Sequence, residues 1–302
     1  MKEKEENKMK ISLKKKILLT ILVVVILGII ATVMYFKELY ETSEKGKTNK
    51  FYEEIKDKLP LDEKRVVISM KKYDLNADGA EDYVGITGIK KYHDEEKNLF
   101  KDSDSNIELY KDVEVVYIDG NTKEPKKYAT EMSFYKEVKF EIKEDEKNKY
   151  IFASDENSGN VILLVLKDNE LKNIVKDSIQ ADFNGYTINV TFDEENTSKI
   201  KVKLDNYARS YLNEVADVTE LEFEDKAINK DNYRATYLAN KFCSFKLEDI
   251  DGDNRLELVG VQNILYLNDN KKQMNKNEGT VETIFKINDE QKLEYNKVEI
   301  KK

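Results

Sequence analysis

Two twelve-residue stretches, 175 positions apart, constrain this chain more than anything else in it. Residues 74–85 read DLNADGAEDYVG and residues 249–260 read DIDGDNRLELVG. At that one offset Asp74 matches Asp249, Asn76 matches Asp251, Asp78 matches Asp253, Asp82 matches Glu257 and Gly85 matches Gly260. Each stretch follows a strand-like run (VVISMKKY, KFCSFKLE) and leads into another (YVGITGI, LELVGVQ). The fold must therefore present one strand–loop–strand unit twice.

Oxygen-bearing side chains at loop positions 1, 3, 5 and 9 suit a hard cation, with the main-chain carbonyl of position 7 completing the ring. Position 6 is Gly79 in one copy and Asn254 in the other, the residue types that best tolerate a left-handed backbone. An acidic Asp/Asn/Gly turn can also form without metal. Two copies with the same ligand positions and the same flanks favour the ion. Neither copy is an EF-hand, which needs a bidentate Glu at position 12 and flanking helices. Position 12 here is Gly85 or Gly260, and the flanks read as strands. The second loop offers Asp249, Asp251, Asp253 and Glu257 against Asp74, Asp78 and Asp82, so it is expected to hold a cation more tightly.

From Arg65 onward, short β-rich runs alternate with Asp, Asn and Gly. Four pairs read as hairpins: VEVVYI with KKYATEM, VILLVLK with LKNIVK, YTINVTF with KIKVKL, and TVETIFKI with KLEYNKVEI. Val161–Leu166 is apolar on both faces, as expected of a strand covered on both sides. Asp205–Ala216 reads as a helical turn and Val218–Phe223 as a strand. The count comes to about 14–16 strands with no long helical pattern among them.

Ahead of this region, residues 17–36 (ILLTILVVVILGIIATVMYF) carry no charge and as a helix would extend about 30 Å, the hydrocarbon thickness of a bilayer. Residues 1–16 sum to +4, with Lys14, Lys15 and Lys16 beside the run. The pattern predicts a cytoplasmic tail over 1–16, a retained transmembrane signal anchor over 17–36, a stalk with a short helix over 37–64, and an outer β domain over 65–302. A first helix packed on the domain is the alternative for 37–64. The expected location is the cell membrane of a Gram-positive bacterium, single pass.

With a total of −9, the part beyond the run carries −13, which argues against nucleic acid as a partner and favours divalent cations. One Cys and one His exclude disulfide frameworks, thiolate zinc clusters and multi-His metal sites. Cys243 reads as a small buried hydrophobe and His93 as a solvated loop residue. Glu141–Lys149 reads as a solvated face, and Asp155–Asn160 as a plain turn. No nucleophile-elbow, zincin or phosphate-loop motif occurs, so the chain is not expected to be an enzyme.

The DxNxDGxxD and DxDxDNxxE loops between strands resemble the calcium loops of FG-GAP and VCBS-like repeats. The wider order of anchor, first loop, central strands and last loop resembles bacterial VCBS repeat-containing surface proteins. The resemblance implies an extracytoplasmic, propeller-like all-β domain with Ca2+ held structurally in two loops. Its ligands would be Asp74, Asn76, Asp78, the Ala80 carbonyl and Asp82, then Asp249, Asp251, Asp253, the Arg255 carbonyl and Glu257. The Phe-Gly and Gly-Ala-Pro signatures of the integrin type are absent, and the length admits about four blades or an open β-assembly.

The expected function is a membrane-anchored, calcium-stabilised binding or interaction module. Its partners would be the membrane, through residues 17–36, and a cell-surface glycan or protein ligand. A structural envelope or spore-associated protein is the alternative. A glycan hydrolase working through paired carboxylates is a third reading.

Overall fold

The computed structural model describes residues 28–29, 31–92, 108–135, 137–155, 159–176, 185–192, 199–204, 220–224, 233–234, 238–239, 242–268 and 274–301. His93, residues 156–158 and residues 205–216 lie outside that set.

The chain is mostly β, in four antiparallel sheets. The first sheet holds β1 (Arg65–Tyr73), β2 (Asp82–Tyr92), β3 (Glu108–Ile118) and β4 (Pro125–Ala129) in sequence order, with β5 (Phe134–Tyr135) also on β3. The second is the meander β6 (Val138–Glu144), β7 (Lys149–Asp155), β8 (Val161–Lys167), β9 (Glu170–Asn173). The third contains β10 (Thr187–Phe192), β11 (Lys199–Leu204), β12 (Glu220–Glu224) and β14 (Leu238–Ala239). In the fourth, β16 (Glu257–Asn268) pairs with β13 (Tyr233–Arg234), β15 (Ser244–Glu248) and β17 (Met274–Ile287), and β17 pairs with β18 (Leu293–Lys301). All four hairpins read from the sequence are present, as β3–β4, β8–β9, β10–β11 and β17–β18.

The two-sided apolarity of β8 follows from its place between two other sheets. Ile162 and Leu164 join β7's Ile151 and Ala153 in packing on Val84, Ile86, Val115 and Tyr117 of the first sheet. Val161, Leu163 and Val165 point the other way with Tyr150 and Phe152, onto Leu247, Leu258, Val281 and Phe285 of the fourth. Alternate residues of one strand thus serve two cores, because successive side chains leave a strand on opposite faces. Each fully buried Val, Leu or Ile contributes about 1.5–3 kcal/mol.

The far face of the first sheet is covered by helix α1 (Glu44–Ile55), capped by the Ser43 hydroxyl accepting from Gly46 N–H at 3.1 Å. Ile55 and Leu59 are buried against Met70, Tyr83, Val116 and Ile118. The Thr48 hydroxyl accepts from the Met70 N–H on edge strand β1 at 3.3 Å, so the helix also shields that edge. The 37–64 segment, read first as a stalk, therefore carries a helix docked on the sheet.

One part of the expected architecture is corrected. No helix among the described residues is long and apolar enough to cross a membrane, which overturns the transmembrane helix expected over 17–36. Residues 31–36 extend only about 9 Å as helix, and the helix then continues into charged Lys37, Glu38 and Glu41. Residues 17–27 lie outside the described set. Among the described residues the sheets are open and none closes on itself, as in the open β-assembly that the length admitted.

Candidate functional site: two matched acidic loops

The repeat seen in the sequence holds in space. In β1–β2, Tyr73 pairs with Asp82 and Met70 with Gly85; in β15–β16, Glu248 pairs with Glu257 and Phe245 with Gly260. Both loops then turn through two left-handed residues, at positions 4 and 6. These are Ala77 (φ 60) and Gly79 (φ 87) in the first, Gly252 (φ 78) and Asn254 (φ 62) in the second. Position 6 was legible from its residue types. Position 4 was not, because alanine rarely adopts this conformation.

The hydrogen bonds repeat as well. The position-9 carboxylate accepts from the position-2 N–H, Leu75 to Asp82 at 2.8 Å and Ile250 to Glu257 at 2.9 Å. The position-1 carboxylate accepts from the position-6 N–H at 3.1 Å in both loops, Gly79 to Asp74 and Asn254 to Asp249. The position-5 carboxylate accepts from the position-7 N–H, Ala80 to Asp78 at 2.8 Å and Arg255 to Asp253 at 2.9 Å. Asp74 and Asp249 accept loop N–H groups through both oxygens, and these bonds fold each loop around its position-1 acid.

In the second loop, carboxylate oxygens of Asp249, Asp251 and Glu257 lie within 4.8 Å of one another, a grouping that could hold a metal ion. The matching trio in the first loop is Asp74, Asn76 and Asp82, two carboxylates and an amide. Asp82 and Glu257 are both buried, while Asp78, Asp249, Asp251 and Asp253 are exposed and Asp74 is half-buried. Burial pushes the Glu257 carboxyl above its usual range, and the charges of Asp251 and Asp253 add to the shift. Anions crowded around a buried acid are relieved by a dication.

The loops differ in what stands beside position 3. Tyr83 pairs with Ile118 across β2–β3, and Leu258 pairs with Phe285 across β16–β17. The next residue along the third strand's path is Asp119 in one hairpin and Lys286 in the other. Asp119 accepts from the Asn76 amide at 2.9 Å. Lys286 donates to Asp251 at 2.7 Å and lies 3.8 Å from Asp253. The Thr122 N–H holds the Asp119 carboxyl below its ordinary range, and Lys286 does the same to Asp251. The Ala80 N–H lowers Asp78. The Tyr117 phenol is pushed up, first by burial and then by the charges of Asp82 and Asp119.

Both loops also meet one turn, between β6 and β7. Lys149 donates to the Asp74 carbonyl, and Tyr73 of β1 donates to Glu144. On the other side, the Leu256 N–H donates to Asp145 at 3.4 Å and the Glu146 N–H to the Asn254 carbonyl at 3.5 Å. Asp145 itself accepts from the Tyr150 hydroxyl at 2.9 Å and from the N–H groups of Lys147 and Asn148 at 2.8 Å. The Glu141–Lys149 run is thus no mere solvated face, since its C-terminal half wedges between the two loops.

Every sequence-derived ligand candidate sits in one of the two loops. Ala80 and Arg255, expected to offer carbonyls, are seen donating their N–H groups, and the Arg255 guanidinium turns away to the Ile287 carbonyl and Asp289. Asp119, Asn121 (which donates to Asp78 at 2.9 Å), Asp145, Lys149 and Lys286 escaped the sequence reading. The third-strand pairing would have exposed Asp119 and Lys286 had its register been known. The chain matches no protein-family model, no curated protein and no solved structure.

Proposed function

We propose that this protein is a cation-stabilised binding or interaction module and not an enzyme, with Ca2+ as a structural ion in the loops 74–82 and 249–257. One observation carries the reading: two hairpins far apart in sequence share register, paired left-handed residues and inward-drawn carboxylates. Oxygen-only donors at this spacing suit Ca2+ better than a softer metal. The ion would lock each hairpin and, through the 145–149 turn, the packing between sheets.

A cavity of about 740 Å3 between α1, β1 and β6 is a candidate place for a ligand. Its lining includes Lys71, Lys139, Glu108, Glu141, Tyr110 and Phe140, a mixture suited to a polar surface glycan or peptide. Calorimetric titration of the full chain with calcium tests the metal reading. Saturable binding that weakens in Asp249→Ala and in Asp74→Ala is expected; an absence of heat above the dilution control would refute it.

A further inference from the structure

We propose that Lys286 is a tethered counter-cation of the 249–257 loop, which a bound dication must displace. The inference rests on the metal reading above and goes beyond it, since it makes the two otherwise matched loops unequal. Lys286 is on β17, the strand that pairs with β16, and Glu257 is its direct cross-strand partner. Its ammonium is 2.7 Å from Asp251 and 3.8 Å from Asp253. Asp251 is one of the three gathered acids, whereas Asp253 is not in that group. The lysine thus engages one carboxylate of the candidate site and the position-5 acid that would complete its ring.

In the first hairpin the corresponding place is held by Asp119, and the residue facing it from the loop is neutral Asn76. The pair Asn76/Asp119 has thus become Asp251/Lys286, an acid added within the loop and a base added beside it. The fourth acid that would favour the second loop is matched by a cation of the protein's own. The shifts of both partners agree with this pairing, Asp251 downward and Lys286 upward through their mutual hydrogen bond. The ammonium is partly exposed, so a competing ion can displace it without stranding a buried charge.

Calcium titration and thermal melts of the full-length wild type, Lys286→Met and Lys286→Arg test this at low ionic strength. Met keeps the aliphatic stem and removes the charge; Arg keeps the charge. Lys286→Met is expected to tighten calcium binding at the 249–257 loop about tenfold, because a unit charge a few ångströms from a dication is removed. In chelator it is expected to melt about 1–2 °C below wild type, and in calcium to regain that loss. Lys286→Arg should follow the wild type in both. If calcium binds the wild type and Lys286→Met shows the same affinities and the same melting point in chelator, the competition is refuted while the metal reading stands. If no variant binds calcium, both fall together.

Discussion

Asp82 and Gly120 meet across the first hairpin, the buried carboxylate accepting the Gly120 N–H at 2.7 Å. Its other oxygen accepts the Leu75 N–H at 2.8 Å, so one side chain ties the loop to itself and to the end of the third strand. Asp82→Ala leaves both donors without that acceptor and is expected to cost about 2–4 kcal/mol in urea unfolding. The loss should persist in chelator, which separates this folding role from any part in holding a cation.

Ala77 occupies a left-handed position that the second loop gives to Gly252. An L-residue there costs about 1–2 kcal/mol, while glycine adds about 0.4–1 kcal/mol of unfolded-chain entropy. Ala77→Gly is therefore expected to stabilise the protein by roughly 0.5–1 kcal/mol, against the usual direction of such a change. A lowered unfolding midpoint would show that the backbone at 77 is not strained.

The hairpins and the two matched acidic loops were legible because they are local. VILLVL announced a strand covered on both sides, and the shared spacing of Asp74–Asp82 and Asp249–Glu257 announced two matched acidic loops. Whatever depends on strand pairing was hidden. Asp119 lies 43 residues from Asn76, Lys286 lies 35 from Asp251, and Lys149 lies 75 from Asp74. Charged residues with remote partners look in sequence like ordinary solvated ones, as the 141–149 run does. The apolar 17–36 run satisfied a length and hydropathy rule, but among the described residues it yields only a short stretch that passes into charged helix.

Leu59 is fully buried beneath the first sheet and belongs to the fold despite its highly charged surroundings. Leu59→Ala is expected to cost about 2–5 kcal/mol, as for other buried leucines. Thr48→Val should cost about 1–3 kcal/mol by leaving the Met70 N–H on edge strand β1 without its acceptor. If both variants unfold at the wild-type midpoint, the helix is not a stabilising part of the domain.

Glu282 is a buried acid held between Lys301 and Lys246. Burial alone would raise its pKa, but the two lysines outweigh it and leave the carboxyl below the reference 4.5. A depressed folded-state pKa contributes stability that is present above the unfolded value and lost as pH falls through the folded one. Wild-type stability is thus expected to decline below about pH 4.5 more steeply than that of Glu282→Gln. Parallel declines from pH 6 to pH 3 in the two proteins would contradict this contribution.

Under the proposed reading, a divalent cation stabilises this β domain through its two acidic loops. The most direct measurement is the thermal melt of the full chain in chelator and in about 5 mM calcium, a level above the Kd range of about 10⁻⁴–10⁻³ M typical of extracellular calcium modules. Linkage then contributes about 1–2 kcal/mol per site, and with two sites the midpoint is expected to rise by about 4–8 °C in calcium. Magnesium at the same concentration should raise it less, because it demands tighter octahedral geometry and dehydrates reluctantly. A midpoint unchanged between chelator and calcium would contradict the account.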